Sequence, residues 1–423
     1  MRFNRRSFIK TAGSVTALSG STYFLPFSLV SAQETKTPPS EKIRLGFIGM
    51  GGQGNSNLNP LMKDCVAVCD VDSDRLTAAV AKVEKANGKA PLAFADYRKL
   101  LESKEVDAVV VSTPDHWHAL ITVDACHAGK DVYCEKPLTL TIAEGRAIVN
   151  AARKNKRIVQ TGSQQRSDEK FRRACEYVRS GRLGKIKEVK VGIPGPNFKG
   201  PPVEDGTPPK NLDYDFWLGP APKRPYNEKR VHYLFRFFWD YSGGQLTNFG
   251  AHHLDIAQWG LGMDDSGPVS IEGTAQYHKE KWYETPETCQ IIYTYANGVK
   301  VTCSMKEKGG ATFIGEKGSI YVTRGTISSD PPEILKEMLG EMDTRLYVST
   351  NHHKNWLDCI RTRKAPICEA EIGHRSATVC HLGNLAIKTG RKLTWDPQKE
   401  TFVDDKEANA LLSKAYRSPW KLS

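Results

Sequence analysis

The chain has no run of five or six like charges, no C-x-x-C pair, no internal repeat and no low-complexity segment. It also lacks the ~20 consecutive apolar residues that a membrane span requires. Each absence excludes a class. Lys and Arg outnumber Asp and Glu 60 to 48, but the basic clusters are interrupted by acids, so there is no continuous stripe for nucleic acid. Ten cysteines without C-x-x-C or zinc-finger spacing read as buried free thiols rather than a disulfide framework. No metal centre is expected.

The first residues carry an address. Asn4-Arg-Arg-Ser-Phe-Ile-Lys10 is a twin-arginine signature, followed by a weakly apolar stretch and a small-residue cleavage site at Val30-Ser-Ala32. Gly13, Ser14, Thr16, Ser19 and Gly20 dilute that stretch too far for an anchor. The expectation is export by the twin-arginine route to the periplasm or beyond, with no stable membrane span after cleavage. Residues 1–32 hold four cations and no acid, so their removal lowers the formal charge from +12 to +8. The remainder is too long for one core. Expected units are a dinucleotide-binding domain at 41–162, a substrate domain at 163–395 and a tail at 396–423.

Lys42-Ile-Arg-Leu-Gly-Phe-Ile-Gly-Met-Gly-Gly-Gln-Gly54 is a short apolar strand running into a glycine turn. Gly49, Gly51 and Gly54 stand at the G-x-G-x-x-G spacing that brings a pyrophosphate to a helix N-terminus. A second apolar run, Cys65–Cys69, ends in Asp70, 21 residues after Gly49. That is close to the ~20-residue offset of an acid bonding the ribose hydroxyls. The cofactor expected is NAD, with Arg75 the one nearby feature that would admit NADP.

Strand and helix signals alternate to about residue 160, with a helix at 73–87 capped by Ser73. This is the pattern of a doubly wound parallel sheet. A loop rich in Pro and Gly follows from Pro194 to Pro209. Alternating apolar segments at 271–277, 289–295, 299–305 and 319–322, with a hairpin signal at Asn297-Gly298, read as an antiparallel sheet. Two closing helices are expected near 354–360 and 375–388.

Chemistry-bearing residues cluster in four places. Glu135-Lys136-Pro137 ends a strand where ligands bind in open parallel sheets, with Lys136 projecting towards the nicotinamide end and Pro137 in a fixed turn of the kind that adopts cis. His116 and His118 begin a helix, where either packing or cofactor contact is open. His252 stands in the first turn of a helix at 251–261, with Asp255 three residues on along the same face, and histidine suits proton transfer near neutrality. Arg236 and Asp240, in an aromatic segment beginning at Arg230, could bond sugar hydroxyls, whereas Phe235, Phe237 and Phe238 read as core.

Together these residues resemble the glucose–fructose oxidoreductase/inositol dehydrogenase family, Gfo/Idh/MocA. The likeness runs over about residues 41–395. It rests on Gly49-Met-Gly-Gly-Gln-Gly54, Ser112-Thr-Pro-Asp-His-Trp-His118, Glu135-Lys-Pro137 and Gly250-Ala-His-His-Leu-Asp255. The resemblance implies a Rossmann domain followed by an α+β domain with a large open, mainly antiparallel sheet, and a homo-oligomer formed through that sheet. It implies that Gly49, Gly51, Gly52, Gln53, Gly54, Asp70, Thr113, Pro114, His118, Glu135 and Lys136 face the cofactor. It also implies that Lys136 holds the reacting hydroxyl, that His252 is the acid/base, and that Arg166 contacts substrate. Asn248 stands where the family usually has an aspartate. An amide can orient an imidazole but cannot stabilise its charged form as a carboxylate does, so His252 is expected to be a weaker base with Asp255 or Lys136 sharing the load, and Asn248 and Asp255 are expected among the substrate-binding residues.

The activity so implied is nicotinamide-linked oxidation of a sugar or cyclitol. Outside the cytoplasm a released cofactor would be lost, so tightly held NAD recycled on the enzyme is expected. Two other readings stay open: a redox-neutral glycosidase working by oxidation, elimination, hydration and reduction, and a non-catalytic dinucleotide- or sugar-binding protein.

Overall fold

The computed structural model describes residues 42–422, so the stretch read as an export signal lies outside the described residues. The first half alternates strictly. Strands β1 (Leu45–Ile48), β2 (Cys65–Cys69), β3 (Leu92–Phe94), β4 (Ala108–Val111), β5 (Asp131–Cys134) and β6 (Val159–Thr161) are separated by helices. These are α1 (Gly52–Leu61), α2 (Ser73–Asn87), α3 (Tyr97–Glu102), α4 (Asp115–His127) and α5 (Ile142–Lys154). The six strands are parallel in the order β3-β2-β1-β4-β5-β6. All four residues of β1, and all four of β4, are buried because helices cover both faces. The order reverses between β1 and β4, and that switch point opens a crevice at the strands' carboxyl ends.

The second half is built on nine strands in the order β13-β12-β11-β7-β10-β9-β8-β14-β15. In chain order come α6 (Glu169–Arg179), β7 (Ile186–Gly192), α7 (Tyr214–Leu218), α8 (Gly244–Asn248) and α9 (Gly250–Leu261). Then follow β8 (Ser270–Gln276), β9 (Thr288–Thr294), β10 (Lys300–Ser304), β11 (Gly310–Gly315), β12 (Ser319–Thr323) and β13 (Thr326–Asp330). The chain closes with α10 (Glu333–Lys336), α11 (His352–Thr362), α12 (Ala370–Thr389), β14 (Leu393–Asp396), β15 (Thr401–Phe402) and α13 (Lys406–Ala410). Only β7 and β10 run parallel; the other neighbours are antiparallel. The β9–β10 hairpin turns at Asn297-Gly298, where Gly298 has φ +83°. Among the described residues no helix is long and apolar enough to cross a membrane.

The structure corrects several expectations. Helix α2 is capped by Asp72, whose carboxylate accepts from Asp74 N and Arg75 N, not by Ser73. Strands β11, β13, β14 and β15 carry no clear signal, since β11 starts and ends on glycine and β13 is Thr-Ile-Ser-Ser-Asp. Nor are the domains sequential in space. Trp356 and Leu357 of α11 pack into the first domain's core with Leu45, Phe47 and Tyr133. The segment after 396 is no loose tail: Trp420 packs on Trp117 with ring centroids 4.9 Å apart, and Tyr416 donates to Glu144 at 2.7 Å. All ten cysteines are free and buried.

Candidate active site

A cavity of about 420 Å³ opens at the β1/β4 switch point. Its floor is the glycine turn. Gly49 has φ +89°, and a Cβ there would stand 2.8 Å from the backbone of Ser112 and Thr113. A Cβ on Gly54 would stand 1.8 Å from the Gly49 carbonyl. Only glycine lets the strand, turn and helix approach so closely. At Gly52 a Cβ would meet nothing within 4 Å, so the turn leaves its open side to a ligand. Asp70 braces the turn from β2: its carboxylate accepts from Met50 N at 2.6 Å and from Asp72 N at 2.9 Å. Burial raises its pKa, and those two bonds work against that rise.

Gly49, Gly51, Gly52, Gln53, Asp70, Thr113, Pro114, His118, Glu135 and Lys136 all line this cavity, whereas Gly54 is buried against the turn and does not. An open glycine cradle, an acid at its far end and a buried, unpartnered Thr113 Oγ1 fit a dinucleotide.

The wall beside β4 and β5 is an ordered polar network. Glu135 accepts from Gln53 Nε2 at 3.0 Å and Asn57 Nδ2 at 2.9 Å. The Lys136–Pro137 peptide is cis. His118 Nδ1 lies 2.8 Å from the Pro137 carbonyl and its Nε2 lies 2.8 Å from the Thr113 carbonyl. Carbonyls only accept, so both ring nitrogens donate and the ring is an imidazolium. Burial pulls its pKa down, but Cys134, Asp115 and the Pro137 carbonyl together lift it to about 10. His118 therefore clips two loops together through its two nitrogens while its ring lines the cavity. His116 is core, bonded to the Trp217 carbonyl and buried.

Lys136 Nζ donates to Asn248 at 3.2 Å, both to the main-chain carbonyl and to Oδ1. The Asn248 amide in turn donates to Gln245. Asn248 thus lines the cavity and touches the lysine, with no hydrogen bond to the imidazole of His252. Burial lowers the pKa of Lys136, the charges of Glu135 and Asp115 oppose this, and Arg236 and Arg324 reinforce it. Asp115, in the first turn of α4, accepts from Ser242, and after Glu135 it is the second acid whose charge acts on Lys136.

His252 is not among the residues lining the cavity; it is buried within reach of the Lys136 charge, with no hydrogen-bond partner at Nδ1. Burial first, then the charges of Lys136, Arg324 and His253, pushes its pKa well below the usual value. His253 instead donates Nδ1–H to the Gly192 carbonyl at 2.7 Å. Gln165 links the neighbourhood: its amide nitrogen donates to His252 O at 3.0 Å and its oxygen accepts from Arg324 Nε at 3.1 Å.

Three expected substrate contacts stand elsewhere. Arg166, 1% exposed, binds Asp255 in a forked pair at 2.7–3.0 Å and Asp264 at 2.7 Å. Ser376 completes the acceptor set of Asp255. This buried triad joins the 164–167 turn to α9 and α12, so neither Arg166 nor Asp255 reaches the cavity. Asp240 pairs with Arg224 at 2.7 Å, outside the cavity. Arg236 does line it, with its guanidinium 3.9 Å from the Tyr233 ring centroid. Phe237 and Phe238 are core as expected, whereas Phe235 faces the cavity.

Asp115, Gln165 and Arg324 are the site residues that sequence reasoning missed. Asp115 was legible beside Thr113-Pro114. Arg324, in the turn between β12 and β13, carried no local signal. Among the described residues, one further cluster of ligand-type side chains occurs, Glu371, His374 and Glu400. Arg146 and Arg375 bind both carboxylates, so it is a structural ion network.

Comparison with known proteins adds identity to this geometry. Residues 43–163 match the family model described as oxidoreductase family, NAD-binding Rossmann fold. Residues 200–422 match that family's C-terminal alpha/beta domain. An inositol 2-dehydrogenase of Salmonella typhimurium is 33% identical over 150 residues, 34% of this chain and 43% of that protein. An alpha-N-acetylgalactosaminidase of Shewanella oneidensis is 31% identical over 173 residues, 36% of this chain and 38% of that protein. The chain thus matches less than half the length of either relative. The WlbA dehydrogenase from Bordetella pertussis, solved with NADH and UDP-GlcNAcA, superposes with a TM-score of 0.61 at 20% identity, covering 84% of this chain and 99% of that one.

Proposed function

The chain belongs to the Gfo/Idh/MocA oxidoreductase family, whose N-terminal domain binds NAD, and on that premise we propose an exported enzyme that oxidises a hydroxyl of a sugar or cyclitol. The observation that carries this reading is Lys136, buried at the cavity wall with only neutral oxygens of Asn248 as partners, close to His252, whose Nδ1 has no hydrogen-bond partner. The glycine turn, Asp70, Gln53 and Thr113 would hold NAD, which when bound supplies a hydride acceptor. Lys136 holds the reacting oxygen and its charge stabilises the developing alkoxide. His252, kept neutral by burial and neighbouring cations, is in the form that accepts the hydroxyl proton. Export of the folded protein implies a retained cofactor, recycled by a second carbonyl substrate or within one turnover.

A redox-neutral glycosidase is the second reading, favoured by the partial likeness to the alpha-N-acetylgalactosaminidase. There, transient oxidation acidifies a neighbouring C–H, the aglycone leaves, water adds and the ring is reduced again. Incubating the purified protein with C-deuterated sugars and glycosides and a carbonyl acceptor separates the readings. Deuterium carried from the sugar carbon to the acceptor without aglycone release supports the oxidoreductase, because a hydride does not exchange with solvent, whereas aglycone release with ring C–H exchange in deuterated water supports the glycosidase. A protein that retains NAD yet transfers, exchanges and releases nothing is a binding protein.

A further inference from the structure

The segment between β7 and α8 crosses to the first domain and ties itself to the chain just after β2, two residues beyond Asp70. Leu212 forms an antiparallel bridge with Asp72. On either side, Ser73 N donates to the Asn211 carbonyl at 2.8 Å and Asp213 N to the Val71 carbonyl at 3.0 Å. Asn211 Nδ2 adds a bond of 3.0 Å to Asp72 Oδ1. Twenty residues further along, the same segment brings His232 Nε2 to 3.2 Å from Asp72 Oδ2. Asp72 also accepts from Asp74 N and Arg75 N, so this buried acid is a committed anchor.

His232 lines the cavity with Asp70, Val71 and Arg75, at the end that Asp70 marks for the adenosine ribose. Its φ of +51° is a left-handed conformation, kept by a residue with a side chain only where its surroundings fix it. A carboxylate only accepts, so Nε2 carries the proton towards Asp72. Burial, then the charge of Arg75, lowers the pKa of the ring against the pull of Asp72, so the ring is neutral at pH 7. Nδ1 is then an acceptor, and it forms no hydrogen bond among the described residues. The two oxygens of Asp70 already accept from Met50 N and Asp72 N. A ribose brings two hydroxyl donors to this corner, and a second acceptor beside Asp70 suits it.

We propose that residues 211–232 clasp the adenosine end of NAD from the second domain, with His232 Nδ1 accepting from a ribose hydroxyl beside Asp70. Release of the cofactor then requires the clasp to let go, which makes it slow. The inference rests on the proposed function for the need to retain NAD, whereas its test requires neither substrate nor turnover.

The test is the release of NADH from the loaded protein, followed by stopped-flow fluorescence during a chase with excess NAD. His232→Gly, which adopts the same φ without strain, is expected to speed release about 3- to 10-fold, the range for losing one neutral hydrogen bond. The melting temperature of the cofactor-free variant checks its fold, and His232→Ala serves in its place if the glycine variant does not fold. NADH analogues lacking the adenosine 2′- or 3′-hydroxyl identify the contact. One of them should leave the wild-type protein faster by a similar factor. His232→Gly should not speed that analogue further, because both changes remove the same bond. Unchanged release of NADH, with or without a lowered melting temperature, would make His232 a purely structural tie and overturn the inference. Full acceleration of both deoxy analogues by the substitution would overturn it too, since the imidazole would then bond neither hydroxyl. A protein that oxidises no sugar can still pass this test, and an active oxidoreductase can still fail it, so the two readings fall separately.

Discussion

Lys136 and Asn248, 112 residues apart, meet so that the ammonium lies 3.2 Å from two neutral oxygens and from no carboxylate at that position. A carboxylate at 248 would favour the charged lysine, typically by 1–3 pKa units for a close opposite charge. If the charged form holds the alkoxide, activity is lost as pH rises through the lowered pKa of Lys136. Asn248→Asp should therefore carry the alkaline limb of the kcat/KM profile upward by about one unit or more. An unmoved limb would mean that Asn248 does not set the charge of Lys136.

The adjacent histidines should behave oppositely. His252→Ala is expected to lower turnover by roughly 10²–10⁴ with NAD still bound, the range for loss of a general base. His253→Ala removes the 2.7 Å bond to the Gly192 carbonyl. It should cost about 1–2 kcal/mol of stability and less than ~10-fold in rate. Steady-state kinetics with thermal melts decides the matter, and a reversed ranking would transfer the base to His253.

Cofactor selection should reside at Asp70. A 2′-phosphate would sit against its carboxylate, so protein folded in the cytoplasm should carry NAD, identified by chromatography after denaturation. Asp70→Ser removes that repulsion and the brace on Met50 N. The preference for NAD over NADP should then drop by ~10-fold or more, as expected for about 1.4 kcal/mol. Wild-type protein carrying NADP would refute the assignment.

Arg166 should matter for folding rather than binding. Arg166→Leu leaves Asp255 buried without its cation, a change that typically costs ~3–5 kcal/mol. The melting temperature should fall well before KM changes. A variant with normal melting but a raised KM would return Arg166 to the substrate site.

The first domain was legible because its signals are local. Gly49 must adopt φ +89° and Gly54 must pack on the turn, so the glycine spacing encodes the cradle directly. Continuous apolar strands alternating with helices likewise encode a doubly covered parallel sheet. Lys136, at the end of β5, follows from its position on that sheet.

What the sequence could not settle was which distant charges meet. Arg166 reads as a free substrate arginine until α9 brings Asp255, and the turn after it Asp264, against it. Asn248 reads as a partner for His252, four residues on, until the fold turns it to Lys136. Arg324 lies in an unremarkable turn until sheet pairing carries it to Gln165 and the catalytic neighbourhood. Backbone preference and apolar periodicity are properties of short windows and so are written in the chain. Burial, and the ion pairing that burial makes compulsory, depend on elements as far apart in sequence as Arg166 and Asp255, 89 residues, so only the packed structure decides them.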